Sequence, residues 1–220
     1  MDEKSGRSPK DVEAALAHDL NNTLQIVMGN LEVLRRRAAF VPEIVNAALN
    51  ATRNAAHLAD RLVSISRLKK LEPRPLELND ALGDFADMIE RTVGDSVRVN
   101  LERAAAPVRV AIDPRCLQIA LLELVTNARE AMPGGGQLTV TIGIAAAGLA
   151  KIELADSGVG MTAEQIARAF EPAFDSADSA KPVRLGLHLV ERCIGASGGR
   201  VEISSQRSRG TTIALYLPIA

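Results

Sequence analysis

The spacing of apolar residues over the first third of the chain leaves few folds open. Leu16, Leu20, Leu24, Val27, Leu31 and Leu34 recur at three- and four-residue steps. At roughly 100° per residue they gather into one stripe of an amphipathic helix. A second series, Val45, Leu49, Thr52, Ala55, Leu58 or Ala59, Leu62, Ile65 and Leu68, runs close to the ~3.5-residue seam of helical bundles. Phe40-Val41-Pro42 interrupts the two, and Pro42 suits the first turn of a new helix. Residues 9–38 and 42–71 are thus expected to form an antiparallel helical hairpin. A hairpin covers only one side of each helix, so two copies pairing into a dimeric four-helix bundle complete it.

Pro73-Arg74-Pro75 reads as a linker between a helical domain, residues 1–72, and a second domain, residues 76–220. After the linker the pattern of helices and strands becomes α+β. Helices are expected at 78–92, with Asn79 as N-cap, at 113–132, opened by Asp113-Pro114, and at 185–196. Strands are expected at 97–101, 108–112, 138–144, 151–155, 201–204 and 211–217. Aromatic residues make up 2% of the chain and Trp is absent, so Leu, Ile, Val and Ala must build the cores.

Composition also excludes partners. Net charge is −1 with no dense basic run, which argues against nucleic acid and anionic membrane surfaces. Cys116 and Cys193 stand in apolar helical contexts without metal-ligand spacing and make no disulfide framework. The first ten residues are polar, and no apolar run reaches the length of a membrane span or signal core. A cytoplasmic chain without membrane contact is expected.

Chemistry-bearing residues recur in a fixed order. His18 falls nearly opposite the apolar stripe of its helix, with Asn22 one turn later and Asp19 adjacent. An imidazole so displayed is a nucleophile at neutral pH when a neighbouring acid takes its proton. Glu123 and Asn127, four apart, share a helix face suited to a hard metal and a water or hydroxyl. Asp156, ending an apolar strand, suits an exocyclic amine, and Gly158 and Gly160 let the backbone approach a flat ligand. Leu185-Gly186-Leu187 opens a helix whose free N–H groups favour phosphate. Singly, each is as readily a solvated helix face or a tight turn. Their succession, closed by Arg209-Gly210-Thr211-Thr212, is a demanding combination.

In that succession the chain resembles the two-component sensor histidine kinases from about residue 12 to residue 218. Residues 17–22 resemble the phosphoacceptor box, 122–131 the Asn-bearing box and 156–161 the first glycine box. Residues 169–174 resemble the Phe-bearing box of the lid, 185–187 the end of the second glycine box and 210–212 the last one. The resemblance implies a dimeric helical hairpin followed by an ATP-binding α/β sandwich, ATP and Mg²⁺ as cofactors, a homodimer, and a response regulator receiver domain as partner. It implies autophosphorylation of His18, not His57 or His188, assisted by Asp19. It also implies an Asn22 that positions water for dephosphorylation, and catalysis that includes Glu123. Asn127 would ligate the metal, and Asp156 would bind the adenine amine. Gly158, Gly160, Met161, Leu185, Gly186, Leu187 and Thr211 would complete the nucleotide site.

One departure stands out. The family's second glycine box usually reads Gly-x-Gly-Leu-Gly-Leu, and this chain has Pro182-Val183-Arg184-Leu185-Gly186-Leu187. Pro182 has no N–H for a phosphate, whereas Arg184 brings a guanidinium suited to the γ-phosphate. Two alternatives to a kinase therefore stay open: a histidine phosphotransfer protein with a degenerate ATP-binding domain, and a non-catalytic module that sequesters a regulator. The input signal is expected from a separate sensor protein or a missing sensor domain.

Overall fold

The computed structural model describes residues 9–36, 44, 46–48, 52, 71–145, 148–171 and 186–220. In the first helix it describes the side chains of Leu20 and residues 22–34. The chain divides into two units between Lys69 and Lys70, and each is taken by itself.

In the first unit, helix α1 spans Pro9–Arg36, with Pro9 in the first turn, where its missing N–H costs nothing. The expected apolar stripe is only partly covered: Leu24 is 44% exposed and Leu31 52%. Residues 44, 46–48 and 52 are helical, and the Thr52 hydroxyl donates to the Ala48 carbonyl at 2.8 Å, one turn back. The rest of the expected second helix lies outside the described residues.

The second unit opens with a correction. Residues 73–75 do not form a plain linker, because β1, Arg74–Glu77, pairs antiparallel with β3, Arg109–Ile112. Arg74 faces Ile112 and Pro75 faces Ala111. Pro75 is tolerated because β1 is an edge strand of a two-stranded sheet. Helix α2, Leu78–Val93, follows directly, and its N-cap is Glu77, not Asn79. Glu77 accepts from Asp80 N–H and, with its other oxygen, from Val108 N–H. Asn79 instead accepts from the Ala104 N–H.

Strand β2 spans Val97–Glu102. Helix α3, Pro114–Ala131, begins as expected, with Asp113 as N-cap and Pro114 beside it. The Asp113 carboxylate is 2% exposed. It accepts from the Arg115 backbone and guanidinium and from the Glu72 N–H. Strands β4, Gly136–Ala145, and β5, Leu149–Asp156, pair antiparallel. A short helix α4, Ala163–Ala167, carries a reciprocal cap between Thr162 and Gln165, an unanticipated element whose Thr-x-x-Gln signature stands in the sequence. Helix α5 is Gly186–Gly195, and β6, Arg200–Gln206, and β7, Gly210–Pro218, close the unit.

The main sheet has the order β2-β4-β5-β7-β6. β2 runs parallel to β4 and the other pairs are antiparallel. One face is apolar through Leu138, Val140, Ile152, Leu154, Leu215 and Leu217, all buried, and packs beneath α2, α3 and α5. The other is polar, with a Lys151–Glu153 ion pair and the Arg200 guanidinium 4.2 Å above the Tyr216 ring. The largest fully buried side chains are all Leu and Ile, as the aromatic-poor composition requires. Cys116 and Cys193 are buried free thiols whose contact ties α3 to α5.

Candidate functional site

The helix-facing side of the sheet turns polar at one end. Asp156 on β5 faces Thr211 on β7, and Thr211 faces Ser205 on β6. Because strand side chains alternate with a period of two, Asp156 continues the inward series Ala150, Ile152, Leu154. Thr211 and Ser205 do the same on their strands. A carboxylate and two hydroxyls thus line up across three neighbouring strands.

Asp156 is half-buried. Its Oδ1 accepts from the Gly158 N–H at 2.8 Å and the Thr211 N–H at 3.3 Å, leaving Oδ2 for a ligand. Burial pushes its pKa up, outweighing the two N–H groups that pull it down. The loop after Asp156 is pinned on every side. Ser157 N–H donates to Gln137, Val159 N–H to Ala131 at the end of α3, and Met161 N–H to the Ser205 hydroxyl. Gly160 has φ +65, and a Cβ there would run into the Gln206 carbonyl. The protein itself therefore demands glycine at this position, where the sequence suggested only room for a ligand.

Glu123 and Asn127 are half-buried on one face of α3. Gly186, the first residue of α5, stands against both: a Cβ there would lie 2.6 Å from Glu123 Oε2 and 3.6 Å from Asn127 Nδ2. The start of α5, with Leu187 half-buried behind it, is thereby set over the carboxylate and the carboxamide. His188 in the same turn is half-buried and hydrogen-bonds the Phe170 carbonyl, and burial lowers its pKa.

Two of the expected groups are thus brought together: Glu123, Asn127 and Gly186 in one, Asp156, Gly158, Gly160, Met161 and Thr211 in the other. Ala131 links them, since α3 carries the first and its end holds the loop of the second. Arg184 and Leu185, with Pro182, lie outside the described residues, as does His57. His18 and Asp19 lie on α1 with their side chains outside the description, and Asn22 is half-buried there. Ser205 was missed, because a serine in an alternating strand carries no signal until the register is known.

Among the described residues, no group of three or more His, Cys, Asp or Glu is placed to hold a metal. Glu123 and Asn127 bring side-chain oxygens to one face of α3 beside Gly186, the donor type that Mg²⁺ takes together with phosphates and waters. No helix among the described residues is long and apolar enough to cross a membrane.

Residues 112–220 match the histidine kinase-, DNA gyrase B-, and HSP90-like ATPases. The chain is 33% identical over 221 residues to the sensor kinase CckA of Brucella abortus, covering 92% of this chain and 23% of that protein. It is 30% identical over 220 residues to the histidine protein kinase DivJ of Caulobacter vibrioides, covering 94% and 36%. With the sensor histidine kinase ZraS of Klebsiella oxytoca the identity is 29% over 211 residues, covering 94% and 45%. The chain thus spans less than half the length of these relatives. Its fold is shared with full-length ShkA solved in complex with AMPPNP, at TM-score 0.67 and 20% identity over 97% of this chain and 46% of that one. It is shared also with the Acinetobacter baumannii histidine kinase AdeS, at TM-score 0.66 and 19% identity over 92% and 98%.

Proposed function

Since residues 112–220 belong to the histidine kinase-, DNA gyrase B-, and HSP90-like ATPases and form the ATP-binding catalytic domain of a two-component histidine kinase, we propose that the chain is an ATP-dependent protein kinase that phosphorylates itself on His18. Gly186 set over Glu123 and Asn127 carries this reading. The start of a helix, a carboxamide and a carboxylate brought together in this way support a site for phosphate and metal there.

Asp156 accepts the adenine amine through Oδ2, and Gly158, Gly160, Met161 and Thr211 shape the pocket around the base. Asn127 would hold Mg²⁺ through its amide oxygen and Glu123 would orient a water beside it; when bound, the ion would supply positive charge that neutralises the phosphates. Leu185, Gly186 and Leu187 offer backbone N–H groups to the phosphates, and Arg184 offers charge to the γ-phosphate. A ring nitrogen of His18 attacks the γ-phosphorus, the bond to the bridging oxygen breaks, and ADP leaves with that electron pair. The imidazole proton passes to Asp19. The phosphoryl group then moves from His18 to an Asp carboxylate of a response regulator receiver domain, and Asn22 positions water for its later removal. The working unit is a homodimer in the cytoplasm, and a sensor supplies the input.

Titration with ADP and Mg²⁺ tests the site. Asn127→Ala and Asp156→Asn are expected to weaken binding at least tenfold. Acid-labile label from γ-labelled ATP is expected on the wild type and not on His18→Gln. Pro182 favours a second reading, a phosphotransfer protein with a degenerate nucleotide site. Failure of the wild type to bind ATP at millimolar concentration, with label still passing between His18 and a phosphorylated receiver, would establish that reading instead.

A further inference from the structure

The Ser205 hydroxyl makes three hydrogen bonds. It donates to the Gly210 carbonyl at 2.9 Å, accepts from the Met161 N–H at 2.8 Å, and lies 2.9 Å from the Thr211 hydroxyl. A serine has one hydroxyl hydrogen. The Gly210 carbonyl can only accept, and with the Ser205 hydrogen given to it the Ser205–Thr211 bond is made with the Thr211 hydrogen. Thr211 is 8% exposed and directly opposite Asp156. With its hydrogen turned toward β6, it keeps only lone pairs for the β5 side.

We propose that Ser205 is a specificity-determining positioning residue, which locks the Thr211 hydroxyl as an acceptor so that the site takes 6-aminopurine nucleotides and rejects 6-oxopurines. This deepens the nucleotide reading above and rests on it. Beside Asp156, which takes the amine on Oδ2 while Oδ1 accepts two N–H groups, a fixed Thr211 acceptor gives two lone-pair groups along one row. An exocyclic amine satisfies such a row. A 6-oxopurine puts a carbonyl at the same ring position against oxygen lone pairs on both groups, and its single N1–H can pair with at most one of them, so one acceptor stays unpaired, the costly case in a buried polar site. If Thr211 were free to turn, its hydrogen would serve a carbonyl and the discrimination would shrink.

Ser205 also holds Met161, so its removal loosens the loop, and loss of affinity alone proves nothing. The ratio of two affinities separates the roles, because a loosened loop weakens both nucleotides alike. The experiment titrates the full chain with ADP and with inosine diphosphate, each with Mg²⁺. The wild type is expected to prefer ADP. Ser205→Ala is expected to lower that preference by several-fold to about tenfold, the worth of one hydrogen bond. Ser205→Thr, which keeps the hydroxyl, is expected to restore it. In a Thr211→Val background, Ser205→Ala is expected to change the ratio no further, since the residue on which it acts is gone. An unchanged ratio in Ser205→Ala, with ADP preference intact in the wild type, overturns the role of Ser205 alone. So does an equal effect of Ser205→Ala with and without Thr211. A wild type that binds neither nucleotide overturns the nucleotide reading and this inference with it.

Discussion

Two aspartates with opposite environments govern the second unit residue by residue. Asp113 is buried at the start of α3 and receives a bidentate guanidinium and two backbone N–H groups, so its carboxyl is held far below the usual range, chiefly by the Arg115 hydrogen bonds. Asp113→Ala removes a cap and strands Arg115 and the Glu72 N–H. The expected loss is about 2–4 kcal/mol in urea unfolding at neutral pH. A depressed folded pKa contributes stability that is complete above the unfolded value of ~3.9 and is lost as pH falls below it. The gap between wild type and Asp113→Ala should therefore narrow in acid, and a constant gap would refute this account. Asp156 is the reverse case, since burial raises its pKa and ionising it costs the folded protein stability as pH rises through that raised value. Only the ionised form accepts an amine on either oxygen, so ADP affinity should grow as pH rises through that raised value. Asp156→Asn should bind weakly and show no such slope.

At the level of elements, two glycines separate folding from chemistry. Gly160→Ala puts a side chain at φ +65 and against the Gln206 backbone, which neither conformation nor space allows. Its cost is expected to exceed about 1 kcal/mol, read as a lower Tm. Gly186→Ala meets the far end of the flexible Glu123 side chain, which can swing aside. A Tm nearly unchanged with autophosphorylation reduced at least tenfold is the expected result, and a large fall in Tm would mean that α3 and α5 need this contact for stability. The same elements show what the sequence could reveal. The α3 start was legible because Asp113-Pro114 satisfies a helix start by its own side chains. β1 was not, since two prolines mask a strand that survives only at an edge, and its partner β3 lies more than thirty residues away. Glu77 was missed as a cap because its long side chain also reaches Val108, a contact set by tertiary packing. Glu123 and Asn127 were legible as a pair from helical spacing, but the residue above them, Gly186, depended on how α5 packs on α3. Ser205 likewise acquired a role only from the register of β6 on β7.

For the whole molecule, α1 poses a question of solvent that the single chain does not answer. Leu24, Ile26, Met28, Leu31 and Val33 are between 40% and 67% exposed on one helix. Isolated exposed apolar residues need no explanation, but Leu24, Met28 and Leu31 stand at four- and three-residue steps and share one face of the helix, the pattern that marks an interface. The two α1 helices of a homodimer would bury such a patch against each other or against the second helices, completing the four-helix arrangement that the apolar spacing implies. At about 25 cal/mol per Å², a few hundred Å² per chain offsets the loss of translational freedom only when the whole seam closes together. Association should therefore be all or none along the helix. Sedimentation of the wild type at tens of micromolar is expected to give the mass of two chains, with self-affinity of roughly micromolar or tighter. Leu24→Glu with Leu31→Glu puts two carboxylates into that seam, and burying them unpaired costs far more than the contacts they replace. The double variant should sediment as one chain while retaining the ADP affinity of the second unit. A wild type that stays monomeric at that concentration would refute the bundle. A monomeric variant that also loses ADP binding would show instead that the two units depend on each other for folding.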